Sequence, residues 1–323
     1  MWDMNNRGKI VIWVANLAVF AASIVVEAGT SPNVPSSDEI AKITAAVTQL
    51  TAVKPPKQRK LLIFSRSWGY KHIAIPYGKK AVEIMAQKTG AFEAVITDDD
   101  SMFEPQNLKQ FDAILLNNTN NEIFLPEDFD KLQPAEQAKA TKRDEMLKAS
   151  LIDFLAGGKG LAVIHAGVAS FRNWPEFGEI MAARFDNHPW VAGSTVTLKV
   201  EDPGHPVAKA FKKPLFIVTD EIYQVTGPYS RDKVRVLLSI DTSKTSITLD
   251  QIDAVHRKDK DFAMTWVKSY GKGRVFYCAL GHEHDLFWNP VVLQHYLDGI
   301  QFALGDLPGD TTPSAQVQTK SRR

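Results

Sequence analysis

Four short apolar runs, each closed by polar or small residues, organise the first half of the chain. Leu61-Leu62-Ile63-Phe64 ends at Ser65, Phe92–Thr97 and Phe111–Leu116 follow, and Gly160-Leu161-Ala162-Val163-Ile164 runs into His165. Unbroken apolar runs of this length predict strands buried on both faces. Between them the period lengthens to that of a helix. Ile75–Gly90 sets Ala81, Val82, Ile84 and Met85 on one face and stops at Gly90, and Arg143–Ala156 is amphipathic and ends at Gly157-Gly158. Strands alternating with helices predict right-handed βαβ units and a mainly parallel sheet.

The second half is richer in strands: Ser194–Val200, Leu215–Val218, Val234–Ile240, and the pair Ala263–Lys268 and Arg274–Leu280 joined by the turn Tyr270-Gly271-Lys272-Gly273. Val291–Leu304 closes the pattern as a helix. The expected class is α/β, a mainly parallel sheet flanked by helices, with extra antiparallel strands in the C-terminal half. No second domain has its own linker, so one domain over residues 60–304 is expected.

The ends read differently. Arg7 and Lys9 precede an apolar run, Ile10–Val26, and Val26-Glu27-Ala28 offers small residues at its exit. This is the pattern of a secretory signal peptide over residues 1–28. The run is shorter than the ~20 residues of a spanning helix, and Asn16 interrupts it. A periplasmic or secreted location follows, with an uncleaved N-terminal membrane anchor as the alternative. Residues 29–59, with Pro32, Pro35, Pro55 and Pro56 around the amphipathic stretch Asp38–Val53, read as a linker with one short helix. Residues 305–323 read as a disordered tail.

Among 323 residues there are 38 basic and 37 acidic side chains, a net charge of +1, with no block of either sign. That excludes nucleic acid and, once the signal is cleaved, a membrane surface as main partners, and favours a small neutral substrate. One cysteine, Cys278, excludes a disulfide framework and a cysteine-only metal site.

In open parallel sheets ligands bind beyond the carboxyl ends of the strands. Residues Arg66 to His72 follow the first strand, Asn117 to Asn121 the third, His165 to Arg172 the fourth, and Gly281 to Asp285 the last. Topology therefore brings His72, His165 and His282 to one edge, where imidazole can exchange a proton or ligate a metal. His165 stands where a nucleophilic Ser or Cys would crown such a strand. Cys278 lies mid-strand between Tyr277 and Ala279, a position for a buried, inert thiol, and no G-x-S-x-G occurs. No phosphate-cradling glycine motif follows the first strand, which argues against dinucleotides and nucleotides.

Outside that edge, Asp220-Glu221-Ile222-Tyr223 sets two carboxylates beside a ring, and Glu221 is a candidate base or ligand. His188 and His205 each precede a proline in a loop, and turn chemistry accounts for His205. Trp68, Tyr70, Trp174, Trp190, Tyr223 and Trp288 are candidate sugar platforms, with Asn118 to satisfy hydroxyls. Packing is the alternative for each ring taken singly.

The order and spacing of Gly69-Tyr70-Lys71-His72, Gly160–Gly167, Phe185…His188-Pro189, Asp202…His205-Pro206, Asp220-Glu221…Tyr223, Trp266…Val275, Ala279–His282 and Trp288-Asn289-Pro290 resemble the ThuA-like (trehalose utilisation) family. The resemblance spans Lys60–Leu304. It implies a flavodoxin-like sheet similar to class I glutamine amidotransferases, without their working cysteine. It also implies a role in the breakdown of trehalose, other disaccharides or 3-keto-glycosides, by hydrolysis or elimination. Ile73 follows His72 where the family often has an acidic or hydroxyl residue, so no role is carried to that position. The expectation is a carbohydrate hydrolase or lyase with His165, Glu221 and His72 as catalytic residues. His72, His188 and His282 would hold one divalent ion (Zn, Mn or Ni) or donate protons. The alternative is a non-catalytic sugar-binding or accessory protein. A shared site demands that His72, His165 and His282 lie within about 10 Å of one another.

Overall fold

The computed structural model describes residues 34–321. The signal peptide expected over residues 1–28 lies outside the described residues. Nine strands form one sheet: β1 Lys60–Phe64, β2 Glu93–Ile96, β3 Ala113–Asn117, β4 Gly160–Ile164, β5 Arg184–Val200, β6 Leu215–Thr226, β7 Arg235–Ile240, β8 Ala263–Tyr270 and β9 Gly273–Cys278. Their order is β2-β1-β3-β4-β9-β8-β7-β5-β6. The first five neighbours pair in parallel and the remaining pairs are antiparallel. The parallel half has the flavodoxin order, and the chain reverses direction across the sheet between β1 and β3, where a crevice opens at the carboxyl ends.

Five helices of eight or more residues lie among the described residues: α1 Ser37–Thr48, α2 Ile75–Thr89, α3 Pro134–Ala156, α4 Pro290–Leu304 and α5 Ser314–Ser321. Right-handed crossovers leaving the switch point in opposite directions put α2 and α3 on opposite faces. The α4 helix lies against β9 so closely that a Cβ on Gly299 would come 2.2 Å from Phe276.

Both expected loose ends are instead attached to the domain. Ser36 and Glu39 close a capping box on α1, which buries Ile43, Ala46 and Val47. Beyond it two α4 glutamines read the backbone as a strand would. Gln294 exchanges hydrogen bonds with Thr51 at 2.8 and 2.9 Å, and Gln301 with Val53 at 2.9 and 2.6 Å. At the other end, β5 pairs with β7 only over Leu238–Ile240, leaving the start of β7 with a free edge. The C-terminal segment fills it: Val236 N donates to Ser314 Oγ at 2.9 Å and Ser314 N donates to Val234 O at 3.0 Å. The stretch expected to be disordered thus begins α5 on a sheet edge whose amide needs a partner.

The β5/β6 ribbon is the other departure. The sequence pattern predicts strands only over Ser194–Val200 and Leu215–Val218, but β5 begins earlier, at Arg184, and β6 runs on to Thr226. Only Leu198–Val200 of β5 touch β7, and three register shifts lie between Phe185 and Ser194. Bulges of this kind bend and twist a ribbon. Its free half crosses the carboxyl ends of the parallel strands, which brings Asp220–Tyr223 to the loops after β1, β4 and β9.

Candidate metal centre

His72 reaches the edge from the loop after β1. That loop is held in line with its neighbours by parallel bridges, Ser67 to Asn120 and Asn121 to Ser170, and by Asn121 Nδ2 donating to Trp68 O at 2.8 Å. His165 follows β4 directly, with φ +47, a left-handed conformation that a non-glycine residue adopts only when its surroundings hold it. His282 follows β9 after Gly281. Glu221 comes from the opposite direction, on β6.

These four side chains meet. Ring centroids are 5.0 Å apart for His72 and His165, 5.1 Å for His72 and His282, and 5.5 Å for His165 and His282. Glu221 Oε2 lies 3.0 Å from His282 Nδ1 and 3.4 Å from His165 Nε2. One ligand atom from each of the four residues falls within 4.8 Å of every other, and all four side chains are buried. Four ligands about 2.1 Å from one centre stand roughly 3.4 Å from each other. The Glu221 distances to His282 and His165 match that spacing, and the cluster as a whole, with donors up to 4.8 Å apart, would contract to bind one ion.

The donor set also fits a metal chemically. His72 Nδ1, His165 Nε2 and His282 Nδ1 are buried without an aligned hydrogen bond, and Glu221 Oε2 beside the last two pairs with them only when the imidazole is protonated. Three such atoms facing one point are costly unless something there accepts their lone pairs. The second nitrogens of His165 and His72 are occupied. His165 Nδ1 donates to Ala279 O at 2.6 Å, and His72 Nε2 lies 3.3 Å from Tyr223 Oη. Such outer partners orient ligating imidazoles and fix their tautomer. The buried His/Glu cluster could therefore hold a metal ion.

Its electrostatics agree. Burial first, then the imidazoles of His165 and His282, push His72 down to about 3, so it is a neutral donor. Burial would raise Glu221, but His165 and His282 outweigh it and hold the carboxyl below its ordinary value. Burial opposes protonation of His282, yet Glu221 raises it above the ordinary histidine value. Burial, then Glu221, hold the Tyr223 phenol far above its usual range, so it stays an O–H donor.

The remaining expected site residues separate into two groups. Tyr70, 58% exposed, stands at the mouth, edge-on to His72 at 4.7 Å and stacked with His282 at 6.1 Å. His188, expected as a ligand, is outside the tight set: its Nδ1 is 3.7 Å from Glu221 Oε1 and its side chain is 47% exposed. Tyr223 lies against His165 at 4.2 Å. Trp68 and Trp190 donate to the carbonyls of Leu125 and Ser246, Trp174 packs on Phe171 and Phe177, and Trp288 on Tyr77 and His284. None of the four tryptophans touches the cluster's rings. Asn118 is fully buried, its Nδ2 donating to Gly281 O at 3.1 Å, which leaves its amide shaping the loop.

Cys278 is buried and burial pushes its thiol to about 12, as befits an inert position. His205 accepts from Val207 N, and His295 is enclosed in the core against Val207 O and Thr265. His284 turns away from the cluster toward Tyr77 and Glu39. Asp220 is the residue that sequence reasoning left without a role: fully buried, it accepts from three consecutive backbone amides, Gly281, His282 and Glu283.

Solved structures share this fold. A ThuA-like protein from Bacteroides uniformis superposes with a TM-score of 0.51 at 19% identity, over 77% of this chain and 93% of that one. Another from Parabacteroides merdae gives 0.52 at 16% identity, over 79% and 93%. At such identities the likeness is one of fold. No curated protein matches the chain in sequence. No helix among the described residues is long and apolar enough to cross a membrane. A sequence model of the ThuA family, described as trehalose utilisation, matches residues 60–303, and the chain belongs to that family.

Proposed function

We propose that this protein is an exported, metal-dependent enzyme that breaks the glycosidic bond of a disaccharide-derived 3-keto-glycoside. The observation that carries the reading is the trio of buried imidazole nitrogens without an aligned hydrogen bond, gathered with Glu221 beside the exposed ring of Tyr70. The family's link to trehalose utilisation supports a carbohydrate substrate. His72, His165, His282 and Glu221 would hold the divalent ion, which would supply a Lewis acid for a sugar carbonyl oxygen.

The chain's own residues do the rest. Tyr70 offers an exposed ring to the apolar face of a sugar. With Glu221 and His165 in the donor set, the proton-transfer role passes to His188, half-exposed beside Glu221 Oε1. Its imidazole takes the proton from the carbon between the keto group and the anomeric carbon. The electron pair forms the new C=C bond, the bond to the glycosidic oxygen breaks, and that oxygen leaves with its pair and takes up a proton. The Tyr223 O–H, kept protonated by burial, is a donor within the same cluster.

The test compares a 3-keto disaccharide with its parent disaccharide, using protein stripped with chelator and reloaded with Zn, Mn or Ni. Cleavage of the keto sugar alone, lost on stripping and regained on reloading, is the expected result. Sugar binding without turnover in every metal form would leave a non-catalytic binding protein on this fold.

A further inference from the structure

Asp220 immediately precedes the ligand Glu221 on β6. Successive strand side chains point to opposite faces, so while Glu221 enters the cluster, Asp220 points to the other side of the ribbon. There it meets the backbone of the loop leaving β9. Its Oδ2 accepts from Gly281 N at 2.8 Å, and its Oδ1 accepts from His282 N at 3.0 Å and Glu283 N at 2.8 Å.

The same loop is held from its other side. Asn118 Nδ2 donates to Gly281 O at 3.1 Å, and Tyr296 Oη donates to Leu280 O at 2.9 Å. Gly281 has φ +136, and a Cβ there would lie 2.8 Å from Ile164 Cγ2 and 3.2 Å from His165 Cβ. The loop is thus pressed against the residue carrying a second ligand. A fully buried carboxylate is costly unless hydrogen bonds satisfy it, and here all three donors belong to one loop.

We infer that Asp220 is the positioning residue of the metal centre. By clamping Gly281–Glu283 it fixes where His282 Nδ1 stands relative to Glu221 on its own strand, and so sets the affinity for the ion. Two donors from distant parts of the chain, one on β6 and one after β9, become a single rigid unit through one carboxylate. The inference rests on the metal-centre reading and concerns what holds that centre together.

The experiment is a Zn(II) titration of the purified protein against a competing chelator, with thermal melting of the metal-free forms alongside. Asp220→Asn keeps the volume but replaces one acceptor oxygen with a donor, and its affinity for Zn(II) is expected to fall by roughly 10- to 100-fold, the range for residues that orient ligands. Ser239→Ala is the control for a merely structural effect. It removes a partly buried hydrogen bond from Ser239 Oγ to Glu201 Oε1 (2.7 Å) away from the centre. Its Zn(II) affinity is expected to stay within about twofold of wild type whatever its melting temperature does.

An Asp220→Asn affinity within about twofold of wild type overturns the inference. If that variant does not fold, Asp220→Ser decides, since it is smaller and uncharged and cannot span the three amides of the loop. Weakened binding there supports the clamp and unchanged binding overturns it. A wild-type protein that takes up no Zn(II), Mn(II) or Ni(II) overturns the metal-centre reading itself, a result distinct from normal uptake by both wild type and variant.

Discussion

The Nδ1 of His165 lies 2.6 Å from the carbonyl oxygen of Ala279. A carbonyl only accepts, so the imidazole proton is fixed on Nδ1 and the lone pair of Nε2 faces His282 and Glu221. The tautomer needed of a ligand is thus set by the end of β9, before any ion arrives. His165→Ala should abolish stoichiometric metal binding, with affinity lower by at least about 100-fold, beyond the usual effect of an outer partner. Elemental analysis after dialysis against buffered Zn(II) measures this directly. Wild-type stoichiometry retained in the variant would remove His165 from the centre.

How much of this was legible beforehand depends on the kind of residue. His72, His165 and His282 are readable because they follow strands whose apolar runs are unmistakable, and the parallel topology does the rest. Glu221 and Tyr223 draw notice as chemistry but not as position. Their strand is buried on both faces from Asp220 to Val225, so it lacks the alternation that marks a half-exposed strand, and Asp220-Glu221 interrupts its apolar run. The bulged Phe185–Ser194 segment hides β5 for the same reason: Asp186-Asn187-His188 reads as a loop, while its pairing with β6 is long-range. Backbone-reading side chains, Gln294 and Gln301 for the N-terminal segment and Ser314 for the C-terminal one, leave no periodic signal at all.

The aromatic residues divide by contact, and the division is testable. Tyr70 is exposed and sets its ring against His72 and His282, whereas Trp174 packs between Phe171, Phe177 and Lys148. Tyr70→Ala should raise KM for the keto sugar by roughly 2- to 12-fold, the loss of one ring contact of about 0.5–1.5 kcal/mol, with almost no change in melting temperature. Trp174→Ala should do the reverse, costing about 2–3 kcal/mol of stability and leaving KM near wild type. Steady-state kinetics and urea unfolding of both variants check the pair; equal KM effects would end the distinction.

Gly281 is the point where the clamped loop touches β4. An alanine there would have to hold φ +136 and push its methyl to within 2.8 Å of Ile164. Strain and overpacking together predict a loss on the order of 3 kcal/mol in the metal-free protein. The displaced backbone also moves His282, so metal affinity should fall as well. Chemical denaturation of the metal-free variant, followed by Zn(II) titration under native conditions, separates the two effects. A variant as stable as wild type would show that the loop relaxes freely around this position.

Asp298 offers a pH test remote from the cluster. It is buried on α4, where Gln294 Nε2 donates to its Oδ1 at 2.8 Å. Burial raises its carboxyl from the ordinary 3.8 to about 7, against the weaker opposing pull of Gln294, Lys209 and Lys212. The folded state therefore binds a proton that the unfolded chain has released throughout this interval. Stability from this group is full below about pH 4, declines as pH rises, and levels off once the folded carboxyl has ionised above about pH 7. Asp298→Asn keeps an oxygen for Gln294 and removes the charge. The variant should match wild type near pH 4 and exceed it at pH 8 by an amount on the order of 3 kcal/mol. Urea unfolding of both proteins at pH 4.5 and pH 8 reads the difference, using about the same interval over which the linkage acts. A stability gap that does not widen with pH would mean that water reaches this carboxylate in the folded protein.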